Sequence, residues 1–404
     1  MHPHGTYLPL SFFNGPPQAR LCIRGRQHLY QRCLDHHIPY KRVGKLIVGA
    51  SHHRKYLEQL IENLNSIPAS SVDEPAVPIE LISGARVREM QPDLSPEITI
   101  ALHSPATGII DSHALMESFE QDIGESVGGE IVYSTHVVRV DPYSPDRLPA
   151  QASPDGTSEG WVVQTVTPSS KKHMNNRTGV EPVGDAFLAR VLINASGLNA
   201  NLVLNSLLPA DHAIPMYYAR GSYASYRGPG VSHVSKLLYP VPNFVGGRAT
   251  EAVNFQSLGT HLTLDMEGNV RFGPDLQWLS PPSAVLGSQD GPCTEESAID
   301  FWERHLVADE DMEKLEAMHR SITMYLPAVA LDGLKPDYVG IRPKLVGPTG
   351  EFQDFQIRID RAQDFGGSGD ALMVSLLGIE SPGLTASLAI AEVVVDQLKQ
   401  VHVT

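Results

Sequence analysis

The sequence has few cysteines and no long apolar run. Its three cysteines, Cys22, Cys33 and Cys293, are odd in number and far apart. This spacing predicts neither a disulfide framework nor a zinc cluster, and it suits a reducing compartment. No apolar run approaches the roughly 18 residues that a membrane-spanning helix requires, so we predict no transmembrane segment.

Positive charge is also scarce, since 31 Lys and Arg residues stand against 46 Asp and Glu, a net charge of −15. So acidic a chain is not expected to bind nucleic acid or an anionic membrane surface. A length of 404 residues with 42% hydrophobic residues indicates a folded protein large enough for two domains. The histidines are scattered, and the adjacent pair His52 and His53 does not converge on one point, so we predict no metal site.

The sequence also lacks a G-x-G-x-x-G motif, the turn that binds the diphosphate of a dinucleotide in a βαβ unit. Its first residues, Met1-His2-Pro3-His4-Gly5, resemble neither a signal peptide nor an Arg-rich transit peptide. The sequence therefore shows no targeting segment and no familiar phosphate-binding turn.

The most informative stretch lies near the C-terminus. Residues 371–377, Ala-Leu-Met-Val-Ser-Leu-Leu, predict a buried strand, and apolar residues then recur at helical spacing over residues 384–398. Ser381 followed by Pro382 predicts the helix start, as the N-cap and the first helical residue. A strand that leads through a tight turn into a helix directs backbone N–H groups at one point, which suits an electron-rich group.

Residues 376–391 of this stretch resemble the C-terminal flavin loop and helix of the L-2-hydroxyglutarate dehydrogenase family, part of the FAD-dependent D-amino-acid-oxidase superfamily. Further segments share the resemblance: residues 19–26, 44–48, 104–111, 337–348 and 352–355. It covers nearly all of the chain outside residues 141–185 and 281–295. The family's first ~50 residues, which hold the βαβ unit, have no counterpart, and Gly5-Thr6-Tyr7-Leu8-Pro9 is similar to the motif that follows that unit.

The resemblance implies a mixed α/β fold of two interleaved lobes. One is an incomplete Rossmann-like FAD-binding lobe, and the other is a substrate lobe built on a mostly antiparallel sheet. We expect the FAD-binding lobe to comprise residues 1–45, 105–215 and 335–404, with residues 141–185 as a polar insertion. The substrate lobe is expected to comprise residues 46–104 and 216–334.

The resemblance also implies that FAD contacts two turns and one strand. The flavin is expected at the start of the C-terminal helix, the diphosphate at a turn of small residues after an apolar strand, and the adenine beside a valine pair. The residues implied are, in that order, Ser381, Gly383, Leu384 and Thr385; Ser196 and Gly197; Val137 and Val138. The valine pair is explained equally well as ordinary core.

Oxidising a 2-hydroxy acid requires a base for the hydroxyl proton and a cation for the carboxylate. His261 is our predicted base, although a core histidine explains it as well. Arg342 is the first choice for the carboxylate, because a guanidinium forms a two-pronged contact. Arg220 and Tyr239 are second choices, and Lys344 is assigned to the far carboxylate of a dicarboxylic acid.

We therefore expect FAD-dependent oxidation of L-2-hydroxyglutarate or a similar 2-hydroxy acid to the 2-oxo acid, with a mitochondrial or cytoplasmic location. Two alternatives stay open. One is an amino-acid or amine oxidase of the same superfamily, because a fold does not fix the substrate. The other is a truncated, non-catalytic remnant or an incomplete gene model that lacks the diphosphate-binding unit.

Overall fold

A computed structural model describes residues 6–7, 17–67, 77–145, 159–167, 184–242, 260–281, 295–308, 310–350 and 353–403. Within these ranges the α-helices are α1 (Pro17–Asp35), α2 (Arg54–Asn65), α3 (Gly84–Met90), α4 (Ser112–Glu125), α5 (Ala200–Asn205), α6 (Glu295–Leu306), α7 (Met312–Thr323) and α8 (Gly383–Val403). The strands are β1 (Thr6–Tyr7), β2 (Tyr40–Lys41), β3 (Lys45–Gly49), β4 (Glu80–Ser83), β5 (Ile100–Ser104), β6 (Ile109–Ile110), β7 (His136–Pro142), β8 (Trp161–Val166), β9 (Gly184–Ala189), β10 (Val191–Asn194), β11 (Tyr217–Tyr226), β12 (Leu237–Pro240), β13 (His261–Leu264), β14 (Val270–Gly273), β15 (Gln277–Leu279), β16 (Leu334–Lys344), β17 (Gln356–Arg361) and β18 (Leu372–Leu377).

The largest sheet has nine strands in the order β15-β11-β14-β13-β12-β3-β5-β4, and β16 also pairs with β11. Among these pairs only β3 and β12 run parallel. The expectation of a mostly antiparallel sheet is therefore confirmed. Strand β16 pairs along the whole length of β11, with a bulge between Ser222 and Ala224.

A second sheet has the order β1-β17-β18-β10, in which β10 runs parallel to β18. The apolar run at residues 371–377 forms β18 and leads into α8, as the sequence predicted. Helix α8 packs on α1 so closely that a Cβ at Gly25 would lie 2.1 Å from the carbonyl oxygen of Thr385. Among the described strands β10 pairs with β18 alone, and 46% of Ile193 is exposed at this edge.

One face of the nine-stranded sheet packs on a helix and forms the largest core. Paired residues share a face, and here Leu46 pairs with Leu238, Leu238 with Leu262, Leu262 with Phe272, and Phe272 with Ala224. All five are fully buried. They belong to one cluster with residues of α7 and the turn after it: Leu315, Met318, Ile322, Tyr325 and Leu326. We call this side of the sheet the core face.

The expected division into two lobes stays a prediction. Strands β10, β17 and β18 fall in the expected FAD-binding lobe, and β4, β5 and β11–β15 in the expected substrate lobe. The boundary placed at residue 335 falls inside β16, which belongs to the nine-stranded sheet. In the described part of the chain no helix is long and apolar enough to cross a membrane.

Candidate active site

The opposite side of the nine-stranded sheet, which we call the polar face, carries the predicted base. Because Leu238 and Leu262 pair on the core face, their neighbours Tyr239 and His261 lie side by side on the polar face. The two rings stack, with centroids 4.0 Å apart and an interplanar angle of 15°. His261 is buried, with 7% of its surface exposed. The structure therefore brings together two residues that the sequence assigned to one site.

Two tyrosines extend this stack. Tyr223 meets the ring of His261 edge-on at 6.5 Å, and Tyr338 stacks on Tyr223 at 4.3 Å. We call Tyr239, His261, Tyr223 and Tyr338 the aromatic row. Burial raises the pKa of Tyr239 to about 12, and burial beside Tyr223 raises the pKa of Tyr338 as well. Both phenols therefore stay protonated at neutral pH and can donate a hydrogen bond to a substrate oxygen.

Two cations, Arg342 and Lys45, act on Tyr239. Arg342 lies opposite Ala219 in the pairing of β16 with β11, and its positive charge acts on Tyr239 in the direction that lowers the phenol pKa. The Lys45 ammonium lies 5.0 Å from the centroid of the Tyr239 ring. Neither cation forms an ion pair with another residue in the described ranges. A carboxylate held beside Tyr239 would therefore lie in the field of two cations.

The other two predicted cations are engaged by the protein. Arg220 pairs with Ile341, the neighbour of Arg342, so it points away from the polar face. Its Nε donates to the His305 carbonyl at 2.8 Å and its Nη2 to the Val307 carbonyl at 2.7 Å. This geometry favours a structural role, in which Arg220 holds the end of α6 against β11.

Lys344 is likewise engaged by protein. Its Nζ donates to Glu380 Oε1 at 2.6 Å, and only 11% and 15% of the two side chains are exposed. The pair ties β16 to the turn before α8. This arrangement leaves Lys344 less available to a substrate carboxylate than Lys45 or Arg342.

The turn at the start of α8 differs slightly from the predicted helix start. The helix begins at Gly383, and the Ala386 amide donates to the Pro382 carbonyl, so Pro382 and not Ser381 occupies the cap. The reason is a preceding turn, in which the Gly383 amide donates to the Glu380 carbonyl at 2.5 Å. The next two amides, those of Leu384 and Thr385, meet no acceptor in the part of the chain that the structure describes, and half of Leu384 is exposed.

The second predicted flavin turn follows β10 and is organised by a buried asparagine. Asn194 donates to the Ala200 carbonyl at 2.8 Å, and its Oδ1 accepts the Ser196 hydroxyl at 2.5 Å. Gly197 has a φ of +58° with no heavy atom within 4 Å of the position of a Cβ. This open backbone allows another group to approach closely.

The predicted adenine contacts lie on β7. Val137 and Val138 are 52% and 51% exposed, at a bulge in the pairing of β7 with β8. Ordinary core valines would be buried, so the exposure leaves room for a ligand. Together, the two exposed turns and the helix amides fit a large, flat, anionic cofactor. The sequence contains no G-x-G-x-x-G turn for the diphosphate of such a cofactor.

The sequence reasoning missed Lys45, Tyr223 and Tyr338. Tyr223 stands in an alternating strand, and that alternation indicates a half-buried position without saying which face it lies on. Lys45 reaches Tyr239 only because β3 pairs with β12, almost 200 residues later. The sequence contains no local signal for that pairing.

Known proteins resemble this chain over most of its length. The profile of the DAO family, described as FAD dependent oxidoreductase, matches residues 1–397. The mitochondrial L-2-hydroxyglutarate dehydrogenase of Arabidopsis thaliana is 29% identical over 96% of this chain and 72% of the relative. The L-2-hydroxyglutarate dehydrogenase of Indibacter alkaliphilus is 22% identical over 95% of this chain and 84% of the relative.

Solved structures share the fold at lower identity. L-alpha-glycerophosphate oxidase from Mycoplasma pneumoniae, determined with FAD bound, superposes with a TM-score of 0.60 at 20% identity, over 93% of this chain and 78% of that one. L-proline dehydrogenase from P. horikoshii gives a TM-score of 0.61 at 16% identity, over 98% and 82%. These likenesses confirm the mixed α/β fold of FAD-dependent oxidoreductases.

Proposed function

This chain belongs to the DAO family of FAD dependent oxidoreductases, and from that premise we propose that it oxidises L-2-hydroxyglutarate or a similar 2-hydroxy acid to the 2-oxo acid. The observation that supports this proposal best is the position of His261. It is a buried imidazole stacked on Tyr239, on the same sheet face as Arg342. A base, a hydrogen-bond donor and a cation are the three groups that a 2-hydroxy acid requires.

Arg342, His261 and Tyr239 have separate roles in the proposed reaction. The Arg342 guanidinium binds the carboxylate next to the reacting carbon and thereby fixes its orientation. The His261 imidazole accepts the hydroxyl proton as the C–O bond becomes a carbonyl. The Tyr239 phenol, which stays protonated, donates a hydrogen bond to the same substrate. Stacking among the rings of the aromatic row limits their rotation, so these groups are held ready for the substrate.

FAD, when bound, supplies the acceptor for the hydrogen that leaves the α-carbon with its electron pair. The residues proposed to hold it are those of the two turns and of β7: Ser381, Gly383, Leu384, Thr385, Ser196, Gly197, Val137 and Val138. The exposed amides of Leu384 and Thr385 at the helix start suit the electron-rich edge of the flavin. The backbone at Gly197 suits an approach by the diphosphate.

The test is a turnover assay with FAD-supplemented protein and an artificial electron acceptor. We expect the acceptor to be reduced with L-2-hydroxyglutarate and not with L-proline or glycine. His261→Asn should lower turnover by roughly 10² or more if the imidazole is the base. Turnover with the amino acids in place of the hydroxy acid would identify an amine oxidase, and no turnover with either would identify a non-catalytic protein.

His103 provides a matched control for that substitution. It is a buried histidine of the same sheet, but it pairs with Leu46 and so belongs to the core face, where its Nδ1 lies 2.8 Å from Glu80 Oε1. His103→Asn should change turnover by less than about threefold. Equal losses in both variants would show that the substitutions act through stability, and would contradict the assignment of His261 as the base.

We also propose a mitochondrial location, which is what the name of the Arabidopsis relative states for that protein. The name of the bacterial relative carries no such statement. Immunodetection in separated cell fractions tests this proposal. Recovery of the protein in the cytosolic fraction would overturn it without affecting the proposed reaction.

A further inference from the structure

Lys45 lies on the polar face, where its positive charge favours the binding of an anion. In the pairing of β3 with β12 it lies opposite Leu237, two residues from Tyr239, and its side chain is partly buried. Its Nζ lies 5.0 Å from the centroid of the Tyr239 ring. The ammonium therefore lies over a ring that also stacks on His261 and feels the charge of Arg342.

The protein itself compensates this charge poorly. Within the described residues Lys45 has no carboxylate partner, and the titratable group whose charge affects its pKa is the Cys22 thiol. Burial raises the pKa of that thiol to about 12, so it is neutral at physiological pH. Burial also lowers the pKa of Lys45, because the ammonium has lost part of its hydration. A contact with an aromatic ring replaces only part of that hydration.

We propose that Lys45 binds the second carboxylate of a dicarboxylic substrate while Arg342 binds the first. This inference rests on the proposed function and deepens it, because it assigns a specificity-determining role to a residue outside the predicted site. Arg342 and Lys45 both act on Tyr239, so a short dianion bound beside this ring would have a separate cation for each of its carboxylates. Lys344, which the sequence suggested for this role, is instead paired with Glu380.

Binding of two unreactive acids tests this without any turnover. Glutarate has two carboxylates and butyrate has one, and neither has a hydroxyl group to oxidise. Isothermal titration of the FAD-supplemented full chain should give tighter binding of glutarate. Lys45→Met should weaken glutarate binding by about 10- to 100-fold, the value of one charge-assisted contact. Butyrate binding should change by less than about twofold, whereas Arg342→Met should weaken both.

Two further variants serve as controls for the charge of Lys45 and for the loss of any lysine. Lys45→Arg keeps the positive charge and should retain most of the preference for glutarate. Lys55→Met removes an exposed lysine of α2 and should change neither affinity. Circular dichroism and the melting temperature establish whether each variant folds. If Lys45→Met does not fold, Lys45→Gln replaces it in the titrations.

The outcome separates this inference from the proposed function. Equal weakening of both acids by Lys45→Met, or of neither, overturns the role of Lys45, and so does a wild type that binds the two acids equally. The wild type could bind glutarate more tightly than butyrate, lose this preference in Lys45→Met, and yet oxidise no 2-hydroxy acid. That result overturns the proposed reaction and supports the dicarboxylate site.

Discussion

The ion pair between Lys344 and Glu380 is expected to stabilise the protein rather than bind substrate. Lys344→Met leaves the Glu380 carboxylate, 15% exposed, without its cation, which lies 2.6 Å away. Removing one partner of a fully buried pair costs about 3–5 kcal/mol, and the residual exposure of this pair places the expected loss near the lower bound. Urea unfolding monitored by tryptophan fluorescence measures the change in the free energy of unfolding.

The exposed pair of Arg54 and Glu58 on α2 provides the control. Its side chains are 59% and 47% exposed, so Arg54→Met should cost only about 0.3–0.5 kcal/mol. The double variant Lys344→Met with Glu380→Gln should recover part of the loss, because no uncompensated charge remains. If Lys344→Met costs no more than Arg54→Met and instead weakens glutarate binding, the structural assignment is refuted and the substrate role predicted from the sequence stands.

Two other predictions concern the helix pair and the cofactor. Gly25→Ala should destabilise the protein by about 1–3 kcal/mol, because its Cβ would lie 2.1 Å from the Thr385 carbonyl oxygen, whereas Gly124→Ala in α4, where a Cβ meets nothing within 4 Å, should be neutral or stabilising. Thermal unfolding of both variants checks this. A polypeptide of residues 1–404 should bind FAD roughly 10²–10⁶ more weakly than a relative with a G-x-G-x-x-G turn, since two or three charge-assisted hydrogen bonds to the diphosphate are absent. Flavin fluorescence titration measures the affinity, and a stoichiometrically yellow preparation would contradict the expectation.

Local sequence patterns predicted the elements on either side of the proposed cofactor turn and little of the candidate site. The apolar run at residues 371–377 and the helical spacing after it correspond to β18 and α8, because both elements are stabilised by burial of their own residues. The exact helix start was missed, since it depends on the Glu380–Gly383 turn.

The site itself depends on strand register, which local pattern does not encode. The sequence made Arg342 the first choice and Arg220 a second choice for the same carboxylate. Arg220 pairs with Ile341 and Arg342 with Ala219, so the two guanidinium groups leave opposite faces of the sheet. A shift of β16 by one residue in that pairing would place Arg342 on the same face as Arg220 and remove it from the polar face. The resemblance to a known family supported Arg342 because it placed residues 337–348 near the flavin, and that information is not present in the spacing of the residues.

Register also explains why one sheet supports both a large core and a reactive site. Leu46, Leu238 and Leu262 are fully buried against the cluster that contains α7, and this burial fixes the pairing of β3, β12 and β13. The same pairing determines that Lys45, Tyr239 and His261 emerge together on the other side. The core residues therefore position the site without contacting a substrate. If one of these strands shifted by one residue, a buried leucine would become exposed and a site residue would move off the polar face. That coupling is the physical reason to expect the polar residues of this face to act as a group.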